Sequence, residues 1–251
     1  MITISELSVR LDGKDILLDV GFSVADRSLV AIMGPSGCGK STLLKALIGL
    51  NVCASGKIQI DELPSESLTE WSTSQSTFSL VPQAPLLLPW KNALQNILTA
   101  TPTRMNLSEA TAQAKSLLAR VELVDACDLY PWQLSQGMAA RVSLARTLMM
   151  KSRVLLLDEP FAAIDATTRF KLQRWMLELV DQLGQAAILV THDPREALLL
   201  ADEIIVLSGR PAGARQRFKI PLRNVRRESN WIFGPEAGEL EKEIRLSIEK
   251  S

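Results

Sequence analysis

Residues 34–42 read Gly-Pro-Ser-Gly-Cys-Gly-Lys-Ser-Thr, and no other stretch constrains the chain as much. The pattern is a glycine, four free positions, then Gly-Lys-Ser. Leu29-Val30-Ala31-Ile32-Met33 ahead of it has the composition of a buried strand, and Thr42 to Leu50 behind it that of a helix. In that setting Gly34, Gly37 and Gly39 let the backbone fold so that its N–H groups converge on one anion at a helix N-terminus. Lys40 then reaches the β- and γ-phosphates of a nucleotide, and the Ser41 hydroxyl can ligate Mg²⁺. The stretch predicts a nucleoside triphosphate site formed by Gly34, Pro35, Ser36, Gly37, Cys38, Gly39, Lys40, Ser41 and Thr42.

Composition narrows the setting. With 251 residues, 47% of them apolar, the chain can bury a proper core. Its 28 Lys plus Arg balance 28 Asp plus Glu, which argues against nucleic acid held in a general basic field. No apolar run approaches the ~20 residues that span a bilayer. The N-terminus, Met-Ile-Thr-Ile-Ser-Glu, alternates like a strand and not like a signal peptide. Cys38, Cys53 and Cys127 are scattered, forming neither a disulfide framework nor a metal cluster. A soluble chain in a reducing cytoplasm is expected.

The order of elements predicts an α/β fold. Ile2, Ile4, Leu7 and Val9 mark one strand and Ile16 to Val24 a second, with Asp12-Gly13-Lys14 turning between them. Gly56 to Asp61 alternates as a short strand, and residues 61–77 are polar, as in a loop. Phe78 to Val81 is a strand ending at Pro82-Gln83. The prolines of Ala84-Pro85-Leu86-Leu87-Leu88-Pro89-Trp90 deny that stretch regular structure. Residues 92–151 then show only helical patterns, including a helix from Gln136 with Ser135 at its N-cap. Strands at Val154–Leu157, Ala186–Val190 and Glu203–Leu207 alternate with helices, as in a parallel sheet covered by helices. Arg210 to Arg227 is basic and turn-rich. From Pro235, the spacing of Leu240, Ile244 and Ile248 predicts a short docking helix.

Three further motifs bear on chemistry. Val154 to Leu157 is an apolar run that ends in Asp158-Glu159-Pro160. One carboxylate there can hold Mg²⁺ through water, and the second can orient or deprotonate an attacking water. Leu134-Ser135-Gln136-Gly137-Met138 opens a helix at the end that attracts anions. His192, the only histidine, follows a strand in Thr191-His192-Asp193 and can hydrogen-bond a phosphate or a water.

Taken in order, Gly34–Thr42, Gln83, Leu134–Met138, Val154–Glu159, Ile164-Asp165 and His192 resemble the ATP-binding subunit of an ABC transporter over about residues 1–225. Leu88-Pro89-Trp90, Tyr130-Pro131 with Gln133-Leu134-Ser135, and Glu159-Pro160-Phe161 further resemble the nitrate/sulfonate/taurine importer branch. The resemblance implies a P-loop NTPase core with a mostly parallel sheet, an N-terminal antiparallel β subdomain and an all-helical insertion over about 84–151. It leaves 226–251 as a short helical tail. It implies ATP and Mg²⁺ as cofactors, with Ser41 and Asp158 at the metal and Gln83 at the metal or water. Glu159 becomes the catalytic carboxylate, His192 the γ-phosphate switch, and Ser135, Gln136 and Gly137 the contact to ATP held by a partner. The implied partners are a second ATP-binding subunit in a head-to-tail dimer, transmembrane permease subunits and, indirectly, a periplasmic or extracellular solute-binding protein, with no nucleic acid. The implied place is the cytoplasmic side of the inner membrane. An exporter subunit, or a soluble ABC ATPase in DNA repair or translation, is the competing reading.

The chain departs from the family at four positions. The aromatic residue that usually stacks on adenine near Leu11 is missing. Gln136 replaces the first of two signature glycines. Trp132 stands where importer relatives often have histidine. Arg27-Ser28 replaces a usual Gly-Glu turn.

Overall fold

The computed structural model describes residues 1–50, 54–60, 66–67, 77–221 and 231–249. The chain divides into two units, Met1–Ser74 with Gln173–Ser251, and Gln75–Leu172.

The first unit holds two sheets. In one, β1 (Ile2–Leu11) pairs antiparallel with β2 (Lys14–Val24) and with β4 (Ala54–Ile60), and β4 pairs with β5 (Glu66–Ser67). Ile2, Ile4, Leu7 and Val9 are all buried although the spacing slips by one residue after Ile4. Glu6 absorbs the slip at φ 56°, where the register with both neighbours breaks, so each apolar pair still faces inward. Gly56 sits opposite this bulge, and a Cβ there would lie 2.8 Å from the Ser5 carbonyl oxygen.

The other sheet of this unit centres on β3 (Leu29–Met33), which lies parallel to β8 (Ala186–Val190) on one side and β9 (Glu203–Ser208) on the other. Every residue of β3 and β8 is buried, the signature of parallel strands covered on both faces. β10 (Gly213–Lys219) closes the edge antiparallel to β9. This corrects the expectation of a turn-rich segment after Arg210. Ala212, Phe218 and Ile220 point inward and are buried, and the exposed Arg217 and Lys219 between them mask an edge strand. Helix α1 (Lys40–Leu47) follows β3, and α6 (Pro194–Leu200) follows β8 with Asp193 as N-cap. The last helix, α7 (Pro235–Glu249), buries Ala237, Ile244 and Ser247, and its Glu241 accepts from Arg195 Nε of α6 at 2.9 Å.

The second unit contains the parallel pair β6 (Phe78–Val81) and β7 (Val154–Asp158), with Val81 opposite Leu157. The strand-free region expected between them holds α2 (Ala93–Leu98), α3 (Leu107–Arg120) and α4 (Gln136–Met149). Asn92, Asn106 and Ser135 cap these helices, each accepting a backbone N–H from three residues on. Helix α5 (Ala166–Leu183) leads out of this unit into the other. Residues 61–65 and 68–76 of the expected loop, and 222–230, lie outside the described residues; Glu66–Ser67 within that loop is a strand.

Candidate active site

Gly34–Thr42 joins the buried end of β3 to the start of α1, as the sequence required. Gly34, Gly37 and Gly39 stand at φ 150°, 76° and 105°, in the region that penalises side chains. At Gly34 space compounds conformation, since a Cβ would come within 2.5 Å of the Leu207 carbonyl oxygen of β9. Gly39 is confined less severely, its missing Cβ being 2.9 Å from Leu17 Cδ2, a side-chain end that can give. Lys40 is 8% exposed, and its Nζ donates to the carbonyls of Gly34 at 2.9 Å and Pro35 at 2.8 Å. The ammonium is thus held over the loop by the loop itself, a donor placed to meet phosphate oxygens. Ser36 and Gly37 are exposed at the tip, and Cys38 is buried. Ser41 and Thr42, in the first turn of α1, are half-buried.

Two other predicted residues lie in the same unit. His192 is exposed two residues past the end of β8, and Ile32 of β3 pairs with Val190 of β8. Parallel neighbours end at the same edge of a sheet, so His192 shares the carboxyl edge from which the phosphate loop springs. Leu11 closes β1 and is 37% exposed, and no aromatic residue occurs between positions 8 and 17.

In the second unit the register brings two distant residues together. Gln83 and Glu159 each stand two positions beyond a paired residue, Val81 and Leu157, and Gln83 Nε2 donates to Glu159 Oε2 at 3.2 Å. Asp158, the last residue of β7, is 7% exposed, whereas Glu159 is half-buried and stands at φ 49°. Gln83 and Glu159 line a cavity of about 230 Å³ together with Gln136, Pro160 and Ala163. Ser135 Oγ accepts the backbone N–H of Met138 at 3.2 Å and leaves the head of α4 exposed. Gly137 follows under steric demand, because a Cβ there would be 3.0 Å from the Ala163 carbonyl oxygen.

Two residues that motif reading did not single out organise the proline-rich stretch after Gln83. Arg146 of α4 donates from Nη1 to the Leu86 carbonyl at 2.9 Å and from Nη2 to the Pro85 carbonyl at 3.0 Å. Burial lowers the pKa of this guanidinium. Asn96 of α2, fully buried, accepts from Leu88 N–H and donates to the carbonyls of Leu88, Lys91 and Asn92. Irregular backbone here is not loose backbone, since its polar groups have side-chain partners. These contacts hold Leu86 and Trp90 outward, 68% and 69% exposed.

The donor set fits ATP with Mg²⁺. Among the described residues no group of three or more His, Cys, Asp or Glu side chains could hold a metal. Mg²⁺ needs no such cage, because it usually keeps several waters and binds through one or two protein oxygens plus substrate phosphates.

A phosphate loop after a buried strand, a carboxylate pair ending β7 and a serine-capped glycine helix together define a nucleotide-hydrolysing cassette. A model of the ABC transporter family matches residues 17–162, and the chain belongs to that family. It is 38% identical over 218 residues to the aliphatic sulfonates import ATP-binding protein SsuB of Cupriavidus pinatubonensis, covering 87% of this chain and 69% of that one. The taurine import ATP-binding protein TauB of Yersinia pestis bv. Antiqua is 36% identical over 221 residues, covering 88% and 84%. Among solved structures, a dimeric ATP-binding cassette in a post-hydrolysis state with ADP and phosphate superposes with TM-score 0.78 at 25% identity. It covers 88% of this chain and all of that one. An ATP-binding subunit of an ABC transporter gives TM-score 0.79 at 24% identity over 98% of this chain.

Proposed function

We propose that this chain is the ATP-hydrolysing subunit of an ABC importer that takes up a small solute of the nitrate, sulfonate or taurine kind. The relatives named for sulfonate and taurine import support the direction of transport and the solute class. The observation that carries the hydrolytic reading is the Gln83–Glu159 contact at 3.2 Å in a cavity, beside the buried carboxylate of Asp158.

In this reading the glycine-rich loop binds the phosphates through its N–H groups and Lys40 spreads its charge over the β- and γ-phosphates. Ser41 and Asp158 would hold Mg²⁺, which would supply neutralisation of phosphate charge there. Glu159 accepts a proton from the attacking water, Gln83 fixes that carboxylate and the water, and His192 contacts the γ-phosphate. Ser135, Gln136 and Gly137 engage ATP bound to a second copy, so ATP closes a head-to-tail dimer and hydrolysis releases it. The dimeric cassette that superposes on this chain supports that arrangement.

No helix among the described residues is long and apolar enough to cross a membrane. In this reading, as the import relatives' names support, membrane permease subunits carry the solute, with this chain docked on their cytoplasmic side and a solute-binding protein delivering cargo from the other. The test is reconstitution of the subunit with its permease in liposomes. ATPase activity should rise with taurine- or alkanesulfonate-loaded binding protein, should need Mg²⁺ and should vanish in Lys40→Ala. Stimulation by neither solute would overturn the solute class, and Mg²⁺-independent turnover would overturn the metal assignment.

A further inference from the structure

A nucleotide base presents a flat apolar face that gains by leaving water against an aromatic side chain. The elements flanking the phosphate loop offer none. On β1, β2 and α1 the one aromatic residue is Phe22, which is 3% exposed and has no face to give. The side chains beside Gly39 are the aliphatic Ile16 and Leu17.

The other unit displays an aromatic surface close in sequence to Ser135. Trp132 is 70% exposed, and its ring lies parallel to Tyr130, with centroids 4.7 Å apart and 13° between planes. Tyr130 covers one face of the indole, and the exposure places the other face in solvent. The pair is fixed by a single turn, Pro131–Gln133, in which Gln133 Oε1 accepts from Tyr130 N–H at 2.9 Å and Gln133 N–H donates to the Tyr130 carbonyl at 2.8 Å. An aromatic surface held rigid before any ligand arrives costs little further entropy on binding. Trp132 also stands three residues before Ser135, a separation the backbone spans in at most about 10 Å.

We infer that Trp132 stacks on the base of the nucleotide whose phosphates Ser135 of the same copy engages, that is, the ATP held in the other copy's phosphate loop. Base recognition is then a property of the closed dimer and not of the single chain. This rests on the dimeric reading above. Tyr130 acts as the backing that keeps the indole plane in place.

The test uses the full chain carrying Glu159→Gln to slow turnover, with dimerisation followed by analytical ultracentrifugation in Mg-ATP and in Mg-UTP. Adding Trp132→Ala should weaken the ATP-driven dimer about a hundredfold, roughly tenfold for each of two lost stacks. The loss should be markedly smaller with UTP, whose pyrimidine offers less area, and Trp132→Tyr should restore most of it. ATP binding to the dilute monomer and the melting temperature should not change. An undiminished dimer in Trp132→Ala overturns the inference alone. An equal loss with ATP and UTP also overturns it, since the indole would then be packing on protein and not on the base. Failure of Glu159→Gln itself to dimerise with either nucleotide overturns the dimer reading, and this inference with it.

Discussion

Gln83 Nε2 donates to Glu159 Oε2 at 3.2 Å, across 76 positions of sequence. The contact follows from the parallel register of β6 and β7, which delivers both side chains to one edge. It makes the orientation of the carboxylate depend on the segment that begins at Gln83. Gln83→Ala should lower kcat about tenfold with little change in KM, as expected when a base is left in place but unaimed. Gln83→Glu replaces the amide donor with a second carboxylate that repels Glu159, so kcat should fall further than in Gln83→Ala. An unchanged kcat in both variants would mean that Gln83 does not aim Glu159.

Gly34 is irreplaceable on two counts, its φ of 150° and the 2.5 Å that a Cβ would leave to the Leu207 carbonyl oxygen. Gly34→Ala should cost about 1–3 kcal/mol of stability and abolish ATP binding. Calorimetry and nucleotide titration check both. A variant that melts and binds like the parent would place the loop differently from what is described here.

The phosphate loop was legible in the sequence because its chemistry needs adjacent residues in one order. Ser135, Asp158 and Glu159 were legible for the same reason, each sitting at the end of an element whose periodicity marks it. β10 was hidden because an edge strand tolerates charge, so Arg217 and Lys219 disguise the alternation that buries Phe218. Arg146 was hidden because its partners are backbone carbonyls, which no residue pattern reveals. Trp90 lies where prolines exclude regular structure, so no periodicity tells core from surface, and its 69% exposure places it at the surface.

That exposure leads to a prediction about assembly. Trp90 and Leu86 form an apolar surface that Arg146 and Asn96 hold rigid from beneath. Trp90→Ala should leave the melting temperature and basal ATPase unchanged, while permease binding weakens by about 2 kcal/mol, the scale of an aromatic anchor. Arg146→Met should instead lower the melting temperature, because two carbonyls lose a half-buried donor at about 0.5–1.5 kcal/mol for each hydrogen bond. A stability loss in Trp90→Ala would contradict the anchor role.

Acid should loosen the C-terminal helix. Hydrogen bonding from Arg195 holds the Glu241 carboxyl below its ordinary range against the opposing effect of burial, with Arg245 adding to the lowering. A depressed folded pKa contributes stability that is fully present above the unfolded value, about 4.3, and is lost as pH falls through the folded one. Protection factors over residues 235–249, corrected for the intrinsic pH dependence of exchange, should therefore be flat from pH 8 to 5 and fall below about pH 4, where free carboxylates titrate. Glu241→Gln should be less protected throughout and insensitive in that window. Wild-type protection that persists through this acid range would show that α7 is held by its apolar face alone.

If Glu159 activates water for hydrolysis of ATP shared between two copies, its amide variant should separate binding from chemistry. In Glu159→Gln, single-turnover hydrolysis should slow by about 10²-fold or more while Mg-ATP binding is retained. ATP-dependent dimers should then accumulate in light scattering and disperse when ATP is removed. Near-normal turnover in Glu159→Gln, with no ATP-dependent dimer, would contradict both the catalytic assignment and the shared site.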